Sequence, residues 1–267
     1  MLDASPPERS QERAIGQIPT EDPRLPAKQP VCIVLHQENS NPGHVGQWFV
    51  RNGHRLDIRK PRFGDALPET LEHHCGCVIF GGPMSANDQD DFVRTEIDWI
   101  NVPLREAKPF LGICLGAQML TVNLGAKVGF HPEDQVEIGY YPLTTTAAGK
   151  PLGEFPDHVY EWHKEGFELP RGAQLIATSS GAFPNQAFIY GPAAVAVQFH
   201  PEITYAQVHR WAGHNPQRLS MKGACPRQEH IDGHIRHALK VQAWLDRFLR
   251  RWVVGDLAVA APLVARS

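Results

Sequence analysis

A short apolar run, Phe110-Leu-Gly-Ile113, passes with no spacer into a helix-forming stretch from Leu115 to Leu124, and Cys114 sits at the joint. Gly112 and Gly116 flank the cysteine two positions to either side. A strand that becomes a helix without a loop must bend sharply, and so sharp a bend accepts only very small flanking side chains. The segment therefore commits the chain to an α/β fold. It places Cys114 at the C-terminal edge of a sheet, where open α/β sheets build their sites. Gly125 ends the helix.

The surrounding pattern agrees with that commitment. Val31-Cys-Ile-Val-Leu35 is an apolar, β-branched run of the kind buried in parallel sheets. A helix from about His44 to Arg51 follows, with Gly53 as its C-cap. Leu56 to Arg59 and Cys77 to Phe80 read as further strands, the latter stopping at Gly81-Gly82-Pro83. Asp91 to Glu106 reads as one amphipathic helix with Phe92, Ile97, Ile100 and Leu104 toward the core. Strands alternating with helices predict a doubly wound, mostly parallel sheet. Beyond Gly125 the segments Val136–Thr145, His158–Trp162, Leu175–Ser179, Ala187–Tyr190 and Ala194–Phe199 look extended and suit additional strands, some of them antiparallel. Two helices close the pattern, Tyr205 to Ala212 and Ile235 to Trp252. In the second, Ile235, Leu239, Leu245, Phe248, Leu249 and Trp252 form a core-facing stripe.

Apolar residues make up 42% of the 267-residue chain and charged residues 21%, with a formal net charge of -3. That balance supports a globular core and gives no basic surface for nucleic acid. No apolar run approaches the ~20 residues a membrane helix needs. Residues 1 to 29, rich in proline among charges, read as a flexible extension, and residues 253 to 267 as a C-terminal tail around a domain spanning 30 to 252. The five cysteines are odd in number and scattered, which suits free thiols in a cytoplasm better than a disulfide framework.

A second motif completes the chemistry. Gln198-Phe-His-Pro-Glu202 follows directly on the strand that begins at Ala194, so His200 can reach the sheet edge that carries Cys114. An imidazole there would take the thiol proton and return it to a leaving amine. Glu202 would accept from the other ring nitrogen, fix the tautomer and stabilise the imidazolium. The dipole of the helix after Cys114 favours negative charge on the sulfur. A lone buried cysteine is more often structural, and fourteen histidines make single matches cheap. The order Cys, His, Glu at two strand ends is what carries the reading.

These motifs together resemble the class I (triad) glutamine amidotransferases. Gly81-Gly-Pro-Met-Ser85 is similar to that family's oxyanion loop, and Glu137-Ile-Gly-Tyr140 and Trp162-His163 are similar to segments of the amidotransferase part of GMP synthase. The likeness extends from about residue 31 to residue 205 and is greatest for free-standing, GMP-synthase-like members. It implies a flavodoxin-like fold and a γ-glutamyl thioester on Cys114, with release of ammonia and then glutamate. It implies an oxyanion held by the backbone N–H groups of Gly82 and Leu115. Gln118, Tyr140, Trp162 and His163 become candidate substrate-binding residues. An ammonia-accepting synthetase on a separate chain is the partner that it implies, since residues 206 to 267 are short for such a domain.

Other constellations carry less. His73-His74-Cys75-Gly76-Cys77 leads straight into a strand and is read as packing rather than as a metal site. His230, His234 and His237 share a helical spacing that Gly233 interrupts, and are expected on a solvated face. The segment His214 to Asp232 is expected to be a solvated loop. Neither a Walker lysine nor a dinucleotide fingerprint follows Gly82, so no cofactor and no metal are expected. Two alternatives to a glutaminase stand beside it: a γ-glutamyl peptidase or amidase using the same thioester, and a non-catalytic regulatory module with the same fold.

Overall fold

The computed structural model describes residues 28–257. The expected N-terminal extension lies outside the described residues except for its last two, which already belong to the first strand; the C-terminal tail lies outside them beyond residue 257.

An eight-stranded sheet forms the frame. Its strands in chain order are β1 (Lys28–Val34), β2 (His54–Arg59), β3 (Cys77–Ile79), β4 (Phe110–Ile113), β7 (Thr144–Thr145), β10 (Gln174–Thr178), β11 (Asn185–Tyr190) and β12 (Ala194–Val197). They lie in the order β2-β1-β3-β4-β12-β11-β10-β7. Pairings from β2 through to β12 are parallel, and those from β12 outward to β7 are antiparallel. Two antiparallel ribbons stand apart: β5 (Val128–Phe130) with β9 (Glu165–Phe167), and β6 (Glu137–Pro142) with β8 (His158–His163).

Helices cover both faces, as the alternation of strand side chains requires. Val31 and Ile33 of β1 pack with Trp48 and Phe49 of α1 (Gly43–Arg51) and with Trp244, Phe248 and Trp252 of α7 (Arg227–Trp252). Cys32 and Val34, one residue out of phase, pack on the opposite face. There they meet Val93 of α2 (Asp91–Trp99) and Met119 and Leu120 of α4 (Leu115–Asn123).

Several expectations are corrected. The single helix over 91–106 is two helices, α2 and α3 (Asn101–Arg105). Pro103 has no N–H to donate one turn back, so the ladder breaks at Ile100. Its core face is Val93, Glu96, Trp99 and Ile100, while Phe92, Ile97 and Leu104 are only partly buried. The last helix runs through Gly233 rather than starting after it; glycine stands there because a Cβ would lie 2.4 Å from Cδ2 of the Tyr140 ring. Ile235 and Leu239 of α7 are exposed, and its buried stripe is Ile231, Val241, Trp244, Leu245, Phe248, Leu249 and Trp252. His230 and His234 are buried rather than solvated. His230 donates from Nε2 to the Cys225 carbonyl and accepts at Nδ1 from the Tyr160 hydroxyl; His234 shares a hydrogen bond with the Tyr140 hydroxyl. The region 214–232 holds a short helix, α6 (Pro216–Leu219), and the first turn of α7, in addition to loop.

Candidate active site

The register of two parallel strands assembles the site. Ile113 of β4 pairs with Val197 of β12, so the residues that leave the two strands at this edge are neighbours. The Cys114 N–H donates to the Val197 carbonyl at 2.8 Å, and the His200 N–H donates to the Tyr160 carbonyl at 2.8 Å. Both backbones are thereby fixed where the side chains converge.

Cys114 has φ 51° and ψ −104°, a left-handed conformation that ordinary side chains rarely adopt. Strain of this kind, of order 1–3 kcal/mol, persists only where the surroundings impose it, and it clusters at functional sites. The surroundings here are the two glycines. A Cβ on Gly112 would lie 2.5 Å from the Gly116 carbonyl oxygen, and one on Gly116 would lie 2.1 Å from that of Ile79. The turn closes only because neither glycine has a Cβ.

His200 is buried, and its Nδ1 donates to Oε1 of Glu202 at 2.8 Å. Its Nε2 has no hydrogen-bond partner among the described residues, and the imidazole interacts electrostatically with Cys114. Burial pushes the imidazole pKa down, but the Glu202 carboxylate and the Cys114 thiol outweigh it and hold the value well above the ordinary histidine range. Glu202 is itself anchored: its carbonyl oxygen accepts from the His44 N–H at 2.8 Å, at the start of α1. Gly43, at φ 53°, permits that approach, since a Cβ there would lie 2.1 Å from the same oxygen. This geometry suits proton transfer between sulfur and imidazole with a carboxylate behind.

The loop after β3 closes the other side. A Cβ on Gly81 would meet Cε1 of His200 at 2.8 Å, and one on Gly82 would meet His36 at 3.0 Å. The Gly82 N–H donates to nothing among the described residues, and the Leu115 N–H, first in α4, has no intrahelical acceptor. His36 braces this loop from within. Its Nδ1 is 3.1 Å from the Gly81 carbonyl oxygen and its Nε2 is 2.8 Å from Oε2 of Glu96, with His36 and Glu96 wholly buried. Sequence reasoning missed both residues; the one available signal was the position of His36 immediately after a strand, at the sheet edge that carries the site.

A cleft of about 610 Å³ opens over Cys114, His200 and Glu202, with Gly81, Gly82 and Trp162 in its walls. The glutamine amidotransferase class-I family matches residues 45–216. The chain belongs to this family. It is 32% identical over 200 residues, 71% of this chain and 82% of the other, to the glutamine amidotransferase-like protein YfeJ of Salmonella typhimurium. A GMP synthase (glutamine-hydrolyzing) of Bdellovibrio bacteriovorus shares 32% identity over 133 residues, 49% of this chain but only 24% of that enzyme. Among solved structures, a glutamine amidotransferase of Thermotoga maritima superposes with a TM-score of 0.76 at 32% identity, covering 85% of this chain and 98% of that one.

Of the residues singled out as substrate-binding, only Trp162 lines the cleft of this family member. Gln118 is buried and donates from Nε2 to the Glu165 carbonyl at 2.8 Å, which holds α4 to β9. Tyr140 faces α7, with its ring stacked on His237 and its hydroxyl on His234. His163 lies wholly inside the protein. Its Nδ1 donates to the Glu165 carbonyl, and its Nε2 is 3.2 Å from an oxygen of each of Glu137 and Glu161. Burial pushes the His163 pKa down, but the two carboxylates overcome it and lift the value to about 10. Burial raises the Glu161 carboxyl to about 7 against the opposing pull of His163 and, more weakly, of His200.

No helix among the described residues is long and apolar enough to cross a membrane.

Proposed function

We propose that the chain hydrolyses the γ-amide of glutamine to glutamate and ammonia through a thioester on Cys114. The observation that carries this reading is the left-handed Cys114, presented by a glycine-flanked turn to an imidazole that Glu202 holds from behind. In this reading His200 accepts the thiol proton as the sulfur attacks the amide carbon. The C–N bond then breaks, His200 gives that proton to the leaving nitrogen, and ammonia departs. Water attacks the thioester with its proton passing to His200, and the sulfur leaves as glutamate forms. The N–H groups of Gly82 and Leu115 stabilise the oxyanion at both stages; one such donor is worth ~3–4 kcal/mol of barrier.

Trp162 forms the wall against which the glutamyl chain packs. The ammonia acceptor in this reading is a synthetase on a separate chain. The described cysteines are all free, which suits a reducing cytoplasm. The test is incubation with a glutamine-mimicking diazo-ketone, followed by peptide mass spectrometry. Label on Cys114 alone, together with ammonia release from glutamine, is the expected result. Label elsewhere, or ammonia release that survives Cys114→Ala, would end the proposal. A regulatory module without catalysis would show neither label nor release.

A further inference from the structure

The cleft is larger than glutamine needs and is charged where glutamine's leaving group carries no charge. At about 610 Å³ it lies within the range of pockets that bury drug-sized ligands, and a single amino acid would leave most of it unfilled. On one side its wall is α5 (Tyr205–His214) and α6, contributing Arg210, Trp211 and Arg218. Neither arginine forms an ion pair among the described residues, nor does Arg62 across the cleft, although the same structure pairs Arg59, Arg250 and Arg251 with carboxylates. Two carboxylates line the cleft. Glu202 is committed to His200, and Glu38, in the loop after β1, is the other. The α5–α6 wall therefore offers cationic forks with no internal anion to satisfy them, an arrangement suited to a carboxylate.

The position of that wall identifies which end of the substrate it meets. The Trp211 ring packs edge-on against the His200 ring, with centroids 5.0 Å apart. His200 is the group that hands a proton to the departing nitrogen, so side chains on its flank stand where the leaving amine stands. Trp162 and Trp211, 5.7 Å apart, supply an apolar surface beside it.

We infer that the preferred substrate is a γ-glutamyl amide whose leaving amine bears a carboxylate, as in a γ-glutamyl amino acid or short peptide, with Arg210 and Arg218 binding that carboxylate. This rests on the Cys114 thioester reading and extends it. The bond changes are those given above: the sulfur displaces the amine, His200 protonates it, and water releases glutamate, so that the amino acid or peptide leaves in place of ammonia.

The experiment measures kcat/KM on the full chain, by glutamate release, for glutamine, γ-glutamylmethylamide and γ-glutamylglutamate, with two glutamates counted per γ-glutamylglutamate cleaved. The ratio of γ-glutamylglutamate to the neutral methylamide is expected to exceed about tenfold and to fall with added salt, as a charge-assisted contact requires. Arg218→Gln and Arg210→Gln should each cut that ratio by about fivefold or more, and Arg218→Glu should cut it further by repulsion. A wild-type ratio near one overturns the inference. So does a ratio unchanged in the arginine variants, including the case in which they weaken both substrates equally because they hold the glutamyl end. In either event, diazo-ketone labelling of Cys114 and glutamine turnover would leave the thioester reading standing. Loss of labelling and of all turnover in the wild type would overturn both.

Discussion

Nδ1 of His200 and Oε1 of Glu202 are 2.8 Å apart, with both side chains almost wholly buried. A carboxylate at that distance makes the protonated imidazole easier to hold, which is why the His200 pKa rises despite its burial. Glu202→Gln keeps the shape and removes the charge. Removing a negative neighbour lowers the pKa of a cationic acid, and His200 must be neutral to accept the thiol proton, so the acid limb of kcat/KM should move to lower pH in the variant. The maximum should drop by about 10²–10⁴-fold, since tautomer and imidazolium both lose their support. A pH series of ammonia release checks both effects, and an unmoved limb would show that Glu202 does not act through His200.

Gly81 and Gly116 separate chemistry from folding. A Cβ on Gly81 would lie 2.8 Å from Cε1 of His200 and 3.4 Å from the Cys114 Cβ, both side-chain atoms. Gly81→Ala should therefore displace the imidazole while the chain still folds. A misplacement near 1 Å costs about 10²-fold in rate, and kcat should fall by that order with little change in melting temperature. The Gly116 Cβ would instead lie 2.1 Å from the Ile79 carbonyl oxygen in the middle of the parallel sheet. Gly116→Ala should prevent the turn from closing and appear as loss of soluble folded protein by circular dichroism. Equal thermal stability of the two variants would contradict this division.

That Cys114, His200 and Glu202 meet at one sheet edge was legible because each motif directly follows an unbroken apolar run that suits a buried parallel strand. The parallel part of the sheet was legible for the same reason. Strands β5 and β9 were not, since three residues carry no period. Ile235 and Leu239 fit a helical stripe in spacing, yet a 26-residue helix presents more than one apolar line, and only the fold decides which is buried. Gly233 looked like a helix breaker because its reason for being there, the Tyr140 ring, is more than ninety positions away. Tyr140 and His163 belong to segments resembling family motifs, but neither lines the cleft: His163 lies on the ribbon face opposite Trp162, and Tyr140, on the same face as Trp162, is covered by α7, which local sequence does not reveal.

The buried cluster of Glu137, His163 and Glu161 should leave a mark on stability. The His163 pKa is about 10 in the folded chain against ~6.5 when unfolded, so the folded state holds its proton more tightly. Its stabilisation is complete below pH ~6.5 and is lost as pH rises through about 10. Glu161, raised to about 7 from its model-compound value of 4.5, acts with the same sign in the lower window. The melting temperature should therefore decline from near-neutral pH toward pH 10. His163→Gln alone leaves two buried carboxylates without their cation, a loss of about 3–5 kcal/mol. The pair His163→Gln with Glu161→Gln removes one of those charges as well. That pair should recover part of the stability and flatten the alkaline decline; a wild-type melting temperature that does not fall above neutral pH would refute the assignment.

Thr204 begins α5 with a capping box: its Oγ1 accepts from the Gln207 N–H, and its own N–H donates to the Gln207 side chain. This cap lies two residues after Glu202 and sets the direction of the helix that brings Trp211 against His200. Thr204→Ala should cost about 1 kcal/mol, which for a domain of this size lowers the melting temperature by roughly 2–4 °C. Because α5 also forms one wall of the cleft, KM should rise more than kcat falls, whereas Thr204→Ser should restore both. A fully stable alanine variant would mean that packing of Val208 and Ala212, both buried, fixes the helix without its cap.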